Sequence, residues 1–441
     1  MNILWNTGKN LLNGKERNMG LMGIKRLFIV LITYMSLFVV NISAIDTAEG
    51  VFDTRVRTLS VRNADDFMGA NVVRLGTSDR IRINFDIIGE DAEYLRYKLI
   101  HCNADWQPSR LLESEYVDGF NEAEVNDYAY SSNTYVHYVN YNIEIPNPDM
   151  PILASGNYLL QVYPENEPDD VLLQARFSVT ENTMTVTGGV TSRTDKGFNT
   201  EFQQLYLSVG GETGRINPYQ DLAITIMQNN RPETLTTVTH PMRVEGKNII
   251  FEHDPQLIFN AGNEYRRFET VRADYPGMHV DSVRYSGTNW HAWLAVDEPR
   301  NEKDYVYDST QKGRFFIDEY NADDPDLGAD YVTVHFTLDS PYAAGADVYV
   351  DGDFNNHRFD DRNKMTYDHN KGLYTAQIPL KQGSYNYQYV VVPKGTGMPN
   401  PGPLEGNKYE TLNEYLIQVF LKLPGARADR LVGTARMLAG Y

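Results

Sequence analysis

RIRINFDI, residues 80–87, decides the fold. Ile81, Ile83, Phe85 and Ile87 fall on every second position, and a strand points successive side chains to opposite faces. The stretch therefore predicts a strand with one face for a core and one for solvent. YVTVHFTL, residues 331–338, repeats the pattern with Val332, Val334, Phe336 and Leu338. The runs at Leu205–Val209 and Leu222–Ile226 behave similarly. Long helical periodicity is absent. A turn or two of helix is expected only at Arg110–Tyr116 and at Asp254–Asn260, where Asp254 can cap and Pro255 can take the first helical position. The chain is expected to be all-β.

Three turns, each followed by a tyrosine, mark out the organisation: Gly156-Asn157-Tyr158, Gly262-Asn263-Glu264-Tyr265 and Gly383-Ser384-Tyr385. In β-sandwiches a tyrosine placed after such a turn can fold its phenol back on the chain. The glycines are spaced by about one sandwich each. With polar linkers at Thr180–Thr183 and Asn321–Ala329, the expectation is three consecutive Ig-like β-sandwich units at about 45–180, 184–320 and 330–393. The remaining residues, 394–441, form a C-terminal part. It opens in a Pro/Gly segment, Pro393–Gly406, which is expected to be extended and excluded from any central strand. A strand at Asn413–Lys422 should return to an earlier sheet. A basic tail, Arg427–Arg436, follows.

Residues 1–44 read as targeting sequence. Lys25-Arg26 precedes an apolar run, Leu27–Val40, and small residues lead to Ala44, after which cleavage is expected. Met19 or Met22 is the expected start. The run is short for a membrane span and is interrupted by Thr33 and Ser36. No cysteine follows it, which argues against a lipid anchor. The segment holds five Lys/Arg and one Glu, so its removal from 40 basic and 59 acidic residues leaves 35 and 58, a net charge of about −23. Such acidity repels nucleic acid and anionic lipid and favours a neutral or basic partner. Cys102 is the only cysteine. An exported chain with one cysteine closes no internal disulfide, and Cys102 is expected to be a small buried apolar residue.

Motifs that carry catalytic chemistry are scarce in the sequence. No H-E-x-x-H, G-x-S-x-G, Walker or G-x-G-x-x-G pattern occurs. Asp351-Gly-Asp353-Phe-Asn355 begins like a calcium loop. It fails where Asn356 replaces the required glycine and where Arg362 replaces the bidentate glutamate, so a solvated hairpin is expected. With this many acids, a carboxylate pair suited to glycoside hydrolysis carries no weight. Trp290-His291-Ala292-Trp293 alternates, so its two tryptophans fall on opposite faces. An exposed one could stack on a sugar, although packing is the expected role of both. No enzyme activity, cofactor, catalytic residue or metal is expected.

The densest aromatic stretch is residues 97–147, YKLIHCNADWQPSRLLESEYVDGFNEAEVNDYAYSSNTYVHYVNYNIEIPN. It carries His101, Asn103, Asp105 and Trp106, then Tyr116, Gly119 and Phe120, then Tyr128, Asn133, Thr134, His137 and Tyr138, then Pro146 and Asn147. These blocks, with Glu405–Tyr415 and Gly425–Gly433, make the chain resemble the plug protein of the type IX secretion system of Bacteroidetes-type bacteria. The third unit separately resembles an early-set immunoglobulin fold related to glycogen-binding modules, through Val348–Asn355, Gly372–Leu380 and Gly383–Tyr387. It departs from them where sugar binders place tryptophan, at Asn356 and Tyr374.

The resemblance implies a non-catalytic periplasmic protein on the inner side of the outer membrane. It would dock on the very large outer-membrane β-barrel translocon and close its periplasmic mouth, with no nucleic acid and no small-molecule substrate. About 400 residues fold to a radius of gyration of roughly 21 Å, enough to obstruct a wide pore. Trp and Tyr dominate binding hot spots. Trp106, Tyr116, Phe120, Tyr128 and Tyr138 are therefore the candidate partner-binding residues. Trp106 and Phe120 are expected to be buried, and the Tyr138 face or the loop tip exposed. The alternative is a periplasmic or surface glycan-binding β-sandwich protein.

Overall fold

The alternation in RIRINFDI is realised in the strand Ile81–Ile88, whose Ile81, Ile83, Phe85 and Ile87 are all buried. In this computed structural model, residues 46–211, 216–395 and 397–440 are described. The targeting segment and the cleavage position after Ala44 lie outside them. The fold is all-β, with several separate, mainly antiparallel sheets.

The first hydrophobic core lies between two sheets. One is ordered Gly50–Val51, Leu173–Thr180, Gly156–Pro164, Leu95–Cys102, Ala123–Glu124, with Val72–Arg74 added parallel to Leu173–Thr180. The other is ordered Val56–Asn63, Ile81–Ile88, Tyr138–Ile145, Asp127–Tyr130. Phe85 pairs with Tyr141 across the second sheet and the rings stack at 5.3 Å. Such aromatic cross-strand pairs help to fix register.

The second core shows where the chain's end goes. Leu222–Gln228 pairs with Glu414–Leu421, which pairs with Arg430–Leu438, and this sheet packs over the one holding Thr185–Thr191 and Phe202–Gly210. The returning strand is thus real. From Arg430 the expected basic tail is itself a strand, paired with Glu414–Leu421, and its cations find acids: Arg430 binds Glu181 and Arg436 binds Glu414.

The third core gathers residues 268–404. Arg266–Glu269 and Phe315–Ile317 flank Gly383–Pro393, while Trp290–Leu294 runs parallel to Tyr331–Leu338 in the opposing sheet. A boundary near residue 320 therefore falls inside this core. Phe268, Ala292 and Leu294 pack with Val334 and Tyr387, not with the second unit. The Pro/Gly segment is not wholly extended, because Gly402–Glu405 forms one helical turn with Leu404 and Glu405 buried.

Local expectations meet mixed outcomes. Helical turns form at Glu113–Tyr116 and Pro255–Leu257, the second capped by Asp254 accepting from Gln256 N at 2.8 Å. Tyr158 and Tyr385 each donate to the carbonyl four residues earlier, Ala154 and Lys381. Tyr265 is buried, but its hydroxyl has no hydrogen-bond partner among the described residues.

Candidate functional site

The aromatic block splits into parts that bind the chain to itself and parts that face outward. After strand Leu95–Cys102 the backbone turns tightly, with Trp106 N donating to Asn103 O and Gln107 N to the Asp105 carboxylate. Trp106 adopts φ 62° and its half-buried ring lies 4.2 Å from the Arg176 guanidinium. The turn clasps the C-terminal block. Asp429 N donates to Asn103 Oδ1, and Ala104 N donates to the Asp429 carboxylate, both at 3.1 Å. Arg427 reaches Glu115.

His101 is buried, with Nε2 3.1 Å from Ser155 O, and burial lowers its pKa. A side chain at Gly156 would strike its ring, which explains the glycine there. Cys102 is fully buried as expected, and burial pushes its thiol up to about 12, away from the reactive thiolate. Tyr116 is also buried and donates to Leu99 O at 3.1 Å. Asn147 accepts from Asp149 N and Met150 N just beyond Pro146 and donates to the Tyr97 hydroxyl at 2.8 Å. Asn133 sits in the left-handed region (φ 60°), and Thr134 donates to Ser131 Oγ. His137 is exposed and paired with Glu90 at 2.8 Å, which raises its pKa.

The expected solvent face of Ile81–Ile88 is not in solvent. Asp86 and Lys381 form an ion pair at 2.7 Å in which both side chains are at most 1% exposed. Tyr331 donates to the same carboxylate at 2.6 Å, Asn140 donates to its other oxygen at 2.7 Å, and Asn84 bonds Asn140. Lys381 lies 4.1 Å over the Tyr138 ring and donates to Asp326 O; Tyr138 donates to Ala329 O at 2.8 Å. Tyr135 N and Val136 N donate to Asp330, and Arg82 pairs with Asp326. The first and third cores thus meet across satisfied, buried polar groups.

The C-terminal block makes comparable junctions. Glu405, 1% exposed, binds Arg266 at 3.0 Å and Arg300 at 2.6 Å and accepts from Tyr389 N. Arg266 also binds Asp297 at 2.6 Å. Burial alone would raise Asp297, but His279, Arg266 and Tyr387 outweigh it and hold the carboxyl down at about 2. Glu414 bridges Arg314 and Arg436. Asn413 donates to Gln203 and to Ala261 O. The Asp351–Asp353 hairpin is not solvated as expected. Both carboxylates are taken by His357, at 3.0 and 2.9 Å, and Asp351 is completely buried.

The candidate aromatics therefore divide, partly against expectation. Phe120 is 88% exposed and Tyr138 only 1%. The reversal has a physical cause. Tyr138 is roofed by the third core, while Phe120 follows Gly119 (φ 98°) at a loop tip that no described residue covers. Tyr128 is exposed on the edge strand Asp127–Tyr130 beside exposed Tyr130. Exposed Leu112 and Leu153 flank the Phe120 loop, and Leu153 N donates to Tyr116 O. The sequence reading missed Asp86, Lys381, Glu405 and Arg266 as structural centres. The visible signal was charge in strand-like or tightly turned segments.

Sugar platforms fare poorly. Trp293 carries His335 at 4.4 Å and the Arg284 guanidinium at 5.6 Å, from strands on either side of its own. Trp290 packs against the third core. Tyr374 is buried with its hydroxyl accepting from Ala343 N, and Asn356 donates to Leu59 O. Among the described residues, no cluster of three or more His, Cys, Asp or Glu side chains is arranged to hold a metal ion, and no helix is long and apolar enough to cross a membrane.

These features define a class: stacked β-sandwiches joined by buried charge, with aromatic loops left at the surface. The family model for the type 9 secretion system plug protein, first domain, matches residues 56–181. A hypothetical protein from Parabacteroides merdae, known from a crystal structure, is 38% identical, with a TM-score of 0.87 over 89% of this chain and 100% of its own. The chain belongs to the type IX secretion system plug protein family. No curated protein matches it. Alignments to a Pseudomonas fluorescens alkylpurine DNA glycosylase (TM-score 0.18, 11% identity, 28% of this chain and 30% of that one) and to Salmonella alpha-2-macroglobulin (0.15, 10%, 91% and 24%) carry no argument.

Proposed function

We propose that the protein is a periplasmic plug that docks on the outer-membrane β-barrel translocon of the type IX system and occludes its periplasmic opening. The observation that supports this most is the union of three cores by buried ion pairs, Asp86–Lys381 foremost. Blocking a pore requires a wide body that does not flex at its joints. Removing one member of a buried pair costs about 3–5 kcal/mol, so such joints resist opening. Contact falls to the outward aromatics, Phe120 and Tyr128 with Tyr130, whose side chains are exposed. The five candidates reduce to these two, with Trp106 half-buried beside them in sequence.

A pull-down of the tagged mature protein from the envelope in mild detergent tests the reading. The expected result is recovery of a very large outer-membrane barrel, and a deletion strain that admits small solutes normally excluded. Recovery of no barrel overturns the reading.

A further inference from the structure

Where the first and third units meet, they leave a cleft that occlusion does not use. Its volume of about 550 Å³ falls within the roughly 300–1,000 Å³ of ligand-binding clefts. Tyr135 of the aromatic block, Trp290 and the acidic linker after Glu319 converge on it. The exposed Tyr135 ring lies 4.9 Å from that of exposed Tyr285, which lies 5.3 Å from Trp290, so a row of rings crosses the junction. The Tyr135 loop is pinned in place. Asp330 accepts from Tyr135 N at 2.8 Å and from Val136 N at 3.0 Å, and Ser132 N donates to Leu327 O at 3.0 Å. Walls fixed in advance lower the ordering cost of binding.

Charge selects the occupant. Asp274, Glu319, Asp323, Asp324 and Asp330 line the cleft against one cation, Arg272. Among the described residues only Asp274 of these five forms an ion pair. Glu319 and Asp324 accept from the backbone N–H groups of Asn321 and Asp326, at 2.7 and 3.1 Å, which leaves most of their lone pairs open. A cleft lined by one sign of charge concentrates the opposite sign. We propose that this cleft receives an arginine side chain from a basic segment of a partner protein, its guanidinium on the Tyr135 and Trp290 rings and forked onto the linker carboxylates. A guanidinium makes both contacts, whereas an ammonium is a point charge without the fork. Arg272, at the same cleft, makes both within the chain: it forks onto Asp274 at 3.1 and 3.0 Å and lies 5.4 Å from the Tyr320 ring. A neutral sugar would use the rings and leave the carboxylates uncompensated. The assignment does not rest on the barrel reading, because the occupant is specified by its charge and shape.

The test is calorimetric titration of the untagged mature protein with the blocked peptide Gly-Arg-Gly-Arg-Gly, beside the same peptide with citrulline for arginine, which keeps the shape and removes the charge. The expected result is one equivalent of the arginine peptide and much weaker binding of the citrulline peptide. Glu319→Gln with Asp323→Asn should weaken binding at least about tenfold. The distant exposed pair Asp169→Asn with Asp170→Asn removes the same charge and should leave binding unchanged. If the cleft variant misfolds, Tyr135→Ala decides, with a loss of similar size expected. No stoichiometric binding, equal binding of the citrulline peptide, binding unchanged in the cleft variants, or an equal loss in the distant pair overturns the proposal. So does stoichiometric binding of a neutral oligosaccharide that Tyr135→Ala abolishes, which would assign the cleft to a glycan.

Discussion

Two regions of the first unit invert the usual relation between polarity and exposure. The outer face of Ile81–Ile88 and Tyr138–Ile145 is polar yet buried: Asn84, Asp86 and Asn140 lie under the third unit. The loop carrying Phe120 holds a large apolar side chain open to solvent. Monomeric proteins seldom bury charge without a partner or expose large apolar side chains without use. The first region is an internal joint, its charges matched by Lys381 and Tyr331. The second is unmatched among the described residues, which is what an external contact requires.

The largest effect should come from breaking the joint. Asp86→Ala leaves Lys381 buried and uncompensated and is expected to cost about 3–5 kcal/mol in urea denaturation, whereas Asp86→Leu with Lys381→Met should recover most of it. If the single and double variants lose equally, the joint is not electrostatic. A second joint titrates. Asp297 is held at about 2 against an ordinary 3.8. The stabilisation from its ionised form is therefore complete above about pH 4 and is lost as the pH falls toward 2. A shift of this size is worth about 2 kcal/mol, and Asp297→Asn should flatten that part of the acid-unfolding curve. An unchanged curve would remove Asp297 from the account. The smallest effect on stability is expected at the open loop. Phe120→Asp should shift unfolding by no more than about 0.5 kcal/mol, yet weaken recovery of the barrel by roughly tenfold or more. A large loss of stability would instead make Phe120 a packing residue.

The period-two runs made the strands and their inward residues legible, and Ile81, Ile83, Phe85 and Ile87 lie where alternation puts them. The return of Glu414–Leu421 was visible as a late apolar strand. Its destination beside Leu222–Gln228 was not, because pairing across nearly two hundred residues leaves no local trace. Asp86 looked like a solvent residue because alternation reports which face a residue takes, not what covers that face. Tyr138 and Phe120 were exchanged for the same reason. Both are aromatic, and only the third unit's position distinguishes a roofed ring from a bare one. The Asp351 hairpin was read as hydrated because His357, which takes both its acids, looks incidental in a linear reading.

The most direct test of the contrast places a photo-crosslinking amino acid at position 120 in one variant and at position 138 in another, followed by irradiation of intact cells. The account predicts a high-mass adduct with an outer-membrane barrel from position 120 and none from position 138. An adduct from 138 alone, or from neither position, would contradict it.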